Sequence, residues 1–423
     1  MAKTSPAPKG MPQTLRSGVP DGQARAFLRY FNLLSTRHIG EYSMAELRRI
    51  WRLMALALGR REPVAAVTDH EIPGPGGPIP LRVFHPEGAK APRPGLLWCH
   101  GGGFLVGGMD SADSICRQIA RASGIAVASA HYRLAPEHDL YAGREDVLAT
   151  LEWIAEHGES IGIDAARLAI GGDSAGGNIA AAVAQEAVRR GHPPLKLQVL
   201  AYPATCIGRD YPSKAENATG YFLTAQNMDW MKRVIAASVD LEDQWISPGC
   251  TRDLRGMPPA LIVTAGFDPL RDDGLDYAAK LRAAGVPVEL LHYAGQFHGF
   301  LNFDSILSAG RDGLERIGGA LAAALHEAAS PDRTIEIAAA AAAPGAGLRN
   351  VAREVTMAAT MAWESAEQWI DTGLEVAAPP LARLYRPLLG PWLLPGAWLR
   401  ERLGSRLERL EARQTHPLKT GAG

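Results

Sequence analysis

Short apolar runs alternate with helical stretches along most of this 423-residue chain, and that alternation restricts the fold more than any other feature. The runs fall at 95–99, 125–130, 167–170, 196–202, 260–264 and 288–292. Helical spacing fills 111–122, 143–157, 175–190, 274–284 and 305–328. Parallel strands buried on both faces read as near-continuous apolar runs, and each crossover between them needs a long connection, usually a helix. The pattern therefore predicts an α/β fold with a mostly parallel central sheet and helices on both faces. Two further strands, 67–72 and 79–85, alternate in polarity around the turn Pro73-Gly-Pro-Gly-Gly-Pro78. Upstream, residues 24–59 read as two helices, the first carrying Phe27, Phe31 and Leu34. The second carries Leu47, Ile50, Leu53 and Met54, and Ser43 with Glu46 forms a capping box at its start.

The ends of the chain break this pattern. Residues 1–22 are rich in Pro, Gly, Ser and Lys and lack the apolar centre of a signal peptide, so a disordered leader is expected. The segment 206–247 interrupts the alternation with a long loop and one helical pattern at Met228, Met231 and Ile235, as lid insertions do. An Ala/Pro/Gly linker is expected at 331–347, on the strength of the alanine run 338–343 and Pro344-Gly-Ala-Gly347. A C-terminal helical extension, 348–423, follows. Its Trp392, Leu393, Leu394, Trp398 and Leu399 lie among arginines, which leaves two readings open. One is peripheral membrane contact; the other is an arm packing on the protein or across a homodimer.

Charge and cysteine usage exclude several functions. Lys plus Arg is 44 and Asp plus Glu 45, a formal net charge of -1, which removes any chain-wide polyanion-binding design, although an average of this kind can hide a local basic patch; no nucleic-acid partner is expected. Cys99, Cys116, Cys206 and Cys250 are far apart with no C-x-x-C pair, so neither a zinc site nor a disulfide framework is expected. No run reaches the ~18 apolar residues of a membrane span. The expectation is a soluble cytoplasmic protein, with membrane association through the C-terminal extension left open.

The chemistry concentrates at four places. Gly172-Asp-Ser-Ala-Gly176 lies between an apolar run and an alanine-rich helix, the context of a nucleophile elbow. A buried serine in a tight turn is the alternative. His100-Gly-Gly-Gly-Phe104 follows another strand, and glycine amides there, Gly102 and Gly103, can converge with that of Ala175 on one oxygen. A phosphate-cradling loop is disfavoured, because Gly101 to Gly108 matches neither nucleotide-binding pattern. A serine nucleophile needs a base and an orienting carboxylate, arriving in the order Ser, Asp or Glu, His. Asp268 follows the strand 260–264 and His298 follows 288–292, both at the edge where open α/β sheets collect their sites. Asp272 and Asp273 are rival carboxylates.

These pieces, with Tyr132-Arg-Leu-Ala-Pro-Glu-His138, Asp268-Pro-Leu-Arg-Asp-Asp-Gly274 and His298-Gly-Phe300, resemble the hormone-sensitive-lipase-like (family IV) carboxylesterases of the α/β-hydrolase superfamily. The resemblance covers about residues 65 to 328 and implies an α/β-hydrolase fold with a helical cap. It implies Ser174 as nucleophile, His298 as base, Asp268 as its partner, and Gly102, Gly103 and Ala175 as the oxyanion hole. It further implies that 23–62 and 206–247 cap a catalytic domain spanning 63–330, with Phe27, Phe31, Phe222 and Trp230 as pocket-lining candidates. Asp139-Leu-Tyr-Ala142 departs from the family's more usual Phe-Pro-Ala.

The expected function is hydrolysis of short- to medium-chain acyl esters through an acyl-enzyme, with a small-molecule ester as substrate and no metal or organic cofactor. Amide or carbamate hydrolysis, or acyl transfer, on the same residues stays open, as does a non-catalytic small-molecule receptor.

Overall fold

The computed structural model describes residues 10–35, 37–88, 92–237 and 239–339. The expectations for 340–423, including the C-terminal helices, membrane contact and dimerisation, lie outside these described residues.

Among the described residues nine strands form one sheet: β1 (Ala66–Ile72), β2 (Ile79–His85), β3 (Arg93–Cys99), β4 (Ala126–Ala130), β5 (Ile163–Asp173), β6 (Leu195–Ala201), β7 (Ala260–Phe267), β8 (Val288–Phe297) and β9 (Arg333–Ile337). Their spatial order is β1-β2-β4-β3-β5-β6-β7-β8-β9. The two pairs at the β1 end are antiparallel, and every pair from β4 to β9 is parallel. The central strands are apolar throughout because successive side chains point to opposite faces and both faces are covered. On β3, Leu97 and Cys99 join one core while Leu96 and Trp98 join the other.

The helices are α1 (Gly22–Leu34), α2 (Met44–Leu58), α3 (Met109–Ser123), α4 (Leu140–His157), α5 (Ala175–Arg190), α6 (Pro212–Glu216), α7 (Ala225–Ile235), α8 (Arg271–Ala283) and α9 (Ser308–Leu325). Buried residues of α4, α5 and α8 share one core cluster, and those of α1, α3 and α9 share the other. The capping box of α2 forms as expected: Ser43 Oγ accepts from Glu46 N at 3.3 Å while Ser43 N donates to Glu46 Oε2 at 2.8 Å. Above the sheet's carboxyl edge, α2, α6 and α7 enclose the site together with the loops between them.

Two boundaries differ from the sequence expectation. The expected linker begins inside the sheet, since β9 pairs in parallel with β8 from Glu289↔Arg333 to Tyr293↔Ile337. Residues 10–21 of the expected leader lie against the same edge. Ser17 N donates to Ala294 O and Asp21 N to Gly295 O, each at 3.0 Å, and Gln13 N donates to Glu336 Oε1 at 2.6 Å. A polar segment with no core of its own is held because a sheet edge supplies acceptors for its amides.

Candidate active site

Strand β5 ends at Asp173, and α5 begins at Ala175. Between them Ser174 has φ 56° and ψ -118°, a left-handed conformation that costs a non-glycine residue about 1–3 kcal/mol and persists only where its surroundings enforce it. The turn is closed so tightly that a Cβ on Gly176 would lie 2.0 Å from Cys99 O, which explains the small residue two places after the serine. The orphan amides of the α5 N-terminus face the same point.

Loops after β7 and β8 bring the other two groups. Asp268 and His298 are both buried, and His298 Nδ1 donates to Asp268 Oδ2 at 2.9 Å, since a carboxylate only accepts. A neutral ring protonated on Nδ1 leaves Nε2 as an acceptor, 2.9 Å from Ser174 Oγ. Asp268 Oδ1 accepts from Leu270 N at 2.7 Å, which fixes the carboxylate's orientation. The rival carboxylates are engaged elsewhere. Asp272 accepts from Ser213 N and Arg271 Nε, and Asp273 accepts from Cys206 N.

The glycine loop is strapped to the elbow from below. Gly101 N donates to Asp173 Oδ1 at 2.9 Å, and Asn302 Nδ2 donates to Asp173 Oδ2 at 3.2 Å. Burial pushes the Asp173 carboxyl above the ordinary aspartate range, against the lowering effect of those two donors. His100 Nδ1 donates to Gly101 O at 2.9 Å, and burial pulls His100 down to about 3, so this ring is neutral. With Gly101 tied down, the amides of Gly102, Gly103 and Ala175 make no hydrogen bond among the described residues. Gly102 has φ +130°, and a Cβ there would lie 2.1 Å from Val106 O. Gly102→Ala must therefore displace the loop, and with Gly102 as the oxyanion donor that the resemblance implies, kcat is expected to fall by about 100- to 1,000-fold. Ester-hydrolysis kinetics beside an unaltered far-UV circular dichroism spectrum would check this.

Ser174 and His298 open into a cavity of about 640 Å³, well above the ~300 Å³ lower end for sites that enclose a small organic molecule. Phe31, Phe222 and Trp230 line it, as do Trp51, Met54 and Met231. Phe27 does not. It is fully buried behind the wall, stacked on Phe297 at 5.1 Å and against Phe303 at 4.6 Å. Phe27 and Phe31 share one face of α1, with ring centroids 5.8 Å apart, so the inner ring shields the core and the outer one meets the cavity.

Sequence reasoning gave no site role to Tyr202, whose ring meets His298 edge-on at 5.0 Å, or to Met231, read only as part of the lid's helical pattern, whose Sδ would lie 2.7 Å from a Cβ on Gly103. Neither belongs to a motif. Asp173 and Asn302 do carry a signal, being immediately before the serine and four residues after the histidine.

A family model described as alpha/beta hydrolase fold matches residues 96–302. Esterase LipI of Mycobacterium tuberculosis is 42% identical over 268 residues, 62% of this chain and 84% of that protein. Carboxylesterase NlhH of the same organism is 42% identical over 253 residues, 59% of this chain and 79% of its own length. Among solved structures, an alpha/beta hydrolase enzyme from the metagenome of Lake Arreo superposes with a TM-score of 0.70 at 36% identity, covering 73% of this chain and 99% of that one. The fold, the turn at Ser174 and these likenesses agree, and the chain belongs to the hormone-sensitive-lipase-like carboxylesterases of the α/β-hydrolase superfamily.

Proposed function

We propose that this protein is a carboxylesterase that cleaves acyl esters through an acyl-enzyme on Ser174. The observation that carries the reading is the unbroken hydrogen-bonded chain Asp268–His298–Ser174 opening into an apolar cavity beside three unengaged amides. Ser174 Oγ attacks the ester carbonyl carbon while His298 Nε2 takes its proton. The carbonyl oxygen becomes an oxyanion facing the amides of Gly102, Gly103 and Ala175. His298 then protonates the departing alcohol oxygen, and water attacks the acyl-enzyme with His298 again as base. Asp268 keeps the imidazole in the required tautomer throughout.

The cavity's aromatic and methionine walls support acyl chains longer than acetyl. A methylene that leaves water for such a wall gains about 0.8 kcal/mol, or roughly fourfold in kcat/KM. A series of p-nitrophenyl esters from acetate to octanoate is expected to climb at about that rate until the chain meets the wall, and then to fall. A profile highest at acetate would refute this use of the cavity.

The reading itself is tested by p-nitrophenyl butyrate hydrolysis together with a fluorophosphonate probe, whose adduct is expected on Ser174 by peptide mass spectrometry. A folded protein that neither turns over esters nor takes the probe would overturn it. No helix among the described residues is long and apolar enough to cross a membrane.

A further inference from the structure

A buried cation stands behind the elements that carry the oxyanion amides. Arg144, on the first turns of α4, is 0% exposed. Its Nη1 donates to Leu140 O at 2.8 Å, and Nη2 donates to Ile246 O at 3.0 Å and to Asn178 Oδ1. Among the described residues its Nε has no partner, and the three acceptors of the guanidinium are two carbonyls and an amide oxygen, not a carboxylate. The ionisable groups nearest in effect are Tyr132, Asp243 and Tyr141. Each is committed elsewhere: Tyr132 OH donates to His100 O at 2.6 Å, and Tyr141 OH donates to Asp243 Oδ2 at 2.7 Å. Trp245 N takes the other Asp243 oxygen.

A buried guanidinium whose hydrogen bonds all go to neutral oxygens is a costly core residue, because no carboxylate offsets its desolvation. Burial pulls its pKa down to about 9, which still leaves it charged at neutral pH. Its neighbours indicate what the charge serves. The guanidinium carbon lies 5.3 Å from the centroid of Phe104, the residue directly after Gly103. Asn178 sits on the first turn of α5, three residues after Ala175, and its Nδ2 donates to Ala204 O and Ile246 O. The cation thus lies where the glycine loop, the nucleophile helix and the loop returning from the cap at Ile246 meet, in surroundings of low dielectric where charge is weakly screened.

We propose that Arg144 is a positioning residue for ester hydrolysis, holding Phe104 and Asn178 in place and setting a positive charge behind the amides of Gly102, Gly103 and Ala175, where it favours the transition-state oxyanion. The proposal rests on the esterase reading above. Because the oxyanion exists only after Ser174 attacks, the charge acts on kcat and leaves substrate binding alone.

The test compares Arg144→Met, Arg144→Gln and Arg144→Lys with the wild type. The readouts are kcat and KM for p-nitrophenyl butyrate and the inhibition constant of an aryl trifluoromethyl ketone. In that adduct Ser174 Oγ bonds to the carbonyl carbon, the carbonyl oxygen takes the electron pair, and His298 holds the serine proton. Arg144→Met is expected to lower kcat about tenfold, to leave KM within twofold, and to weaken the ketone by the same factor as kcat. Arg144→Lys is expected to recover most of both losses. Arg144→Gln keeps a donor without the charge, and stands in should the Met variant not fold. Any folded neutral variant with wild-type kcat and ketone affinity would overturn the proposal. So would a Lys variant as impaired as the neutral ones, since the role would then be one of shape. A wild type without esterase turnover would remove the underlying reading, a result visible before any variant is compared.

Discussion

Ser174→Ala is expected to reduce kcat for p-nitrophenyl butyrate by about 10⁶, the scale on which removing a serine nucleophile disables such a site. The substitution deletes one oxygen and leaves the backbone question unchanged. Alanine has the same Cβ as serine, so the elbow at φ 56° is no more strained than before, and the loss reports chemistry rather than folding. The cavity and the amides of Gly102, Gly103 and Ala175 remain, and residual catalysis over water of about 10³–10⁴ is expected from them. Titration with a fluorophosphonate should show no covalent adduct, while thermal unfolding stays close to that of the wild type. Turnover within tenfold of wild type would place the nucleophile elsewhere and remove the proposed mechanism.

Asp268→Asn is expected to lower kcat by about 10⁴ with little change in KM. Asp268 is fully buried, and its Oδ2 accepts the Nδ1 proton of His298 at 2.9 Å. An asparagine amide presenting its NH₂ to that nitrogen would make Nδ1 the acceptor and move the ring proton to Nε2. The nitrogen facing Ser174 Oγ would then be a donor, unable to take the serine proton. Geometry survives while the tautomer is wrong, so the ester still binds. Asp272→Asn is the control, because that carboxylate accepts from Ser213 N and Arg271 Nε, while the His298 ring bonds Asp268 and Ser174. If Asp268→Asn kept most of the activity, His298 would need a different orienting group.

Much of this molecule is written locally. The β/α alternation, the two N-terminal helices and the capping box at Ser43 follow from spacings of two to four residues, and the structure contains each of them. The elbow, too, is a short-range matter, since a Cβ at 172 would lie 2.4 Å from Gly176 O and one at 176 would lie 2.0 Å from Cys99 O, so both positions require glycine. Strand ends were less legible. Residues 163–166, Ile-Asp-Ala-Ala, have no apolar run, yet they extend β5 because Arg93 and Pro94 offer a partner across a register shift. The strand β9, Arg-Thr-Ile-Glu-Ile, is only five residues long and precedes an alanine run, so its pattern is too brief to read without β8 beside it.

By itself, the sequence determined the order of the elements, the class of the sheet and the loops from which Ser174, Asp268 and His298 come, because turn chemistry and side-chain periodicity act over a few residues. Only the tertiary structure decided that Phe31 meets the cavity while Phe27 lies behind it, although the two differ by a single helical turn. It alone brought residues 10–21 to the sheet edge and set Arg144 against Asn178 and Ile246 with no carboxylate paired to it among the described residues. These outcomes depend on which surfaces meet across tens or hundreds of residues. No local spacing encodes that meeting, which is settled when the two cores close around the sheet.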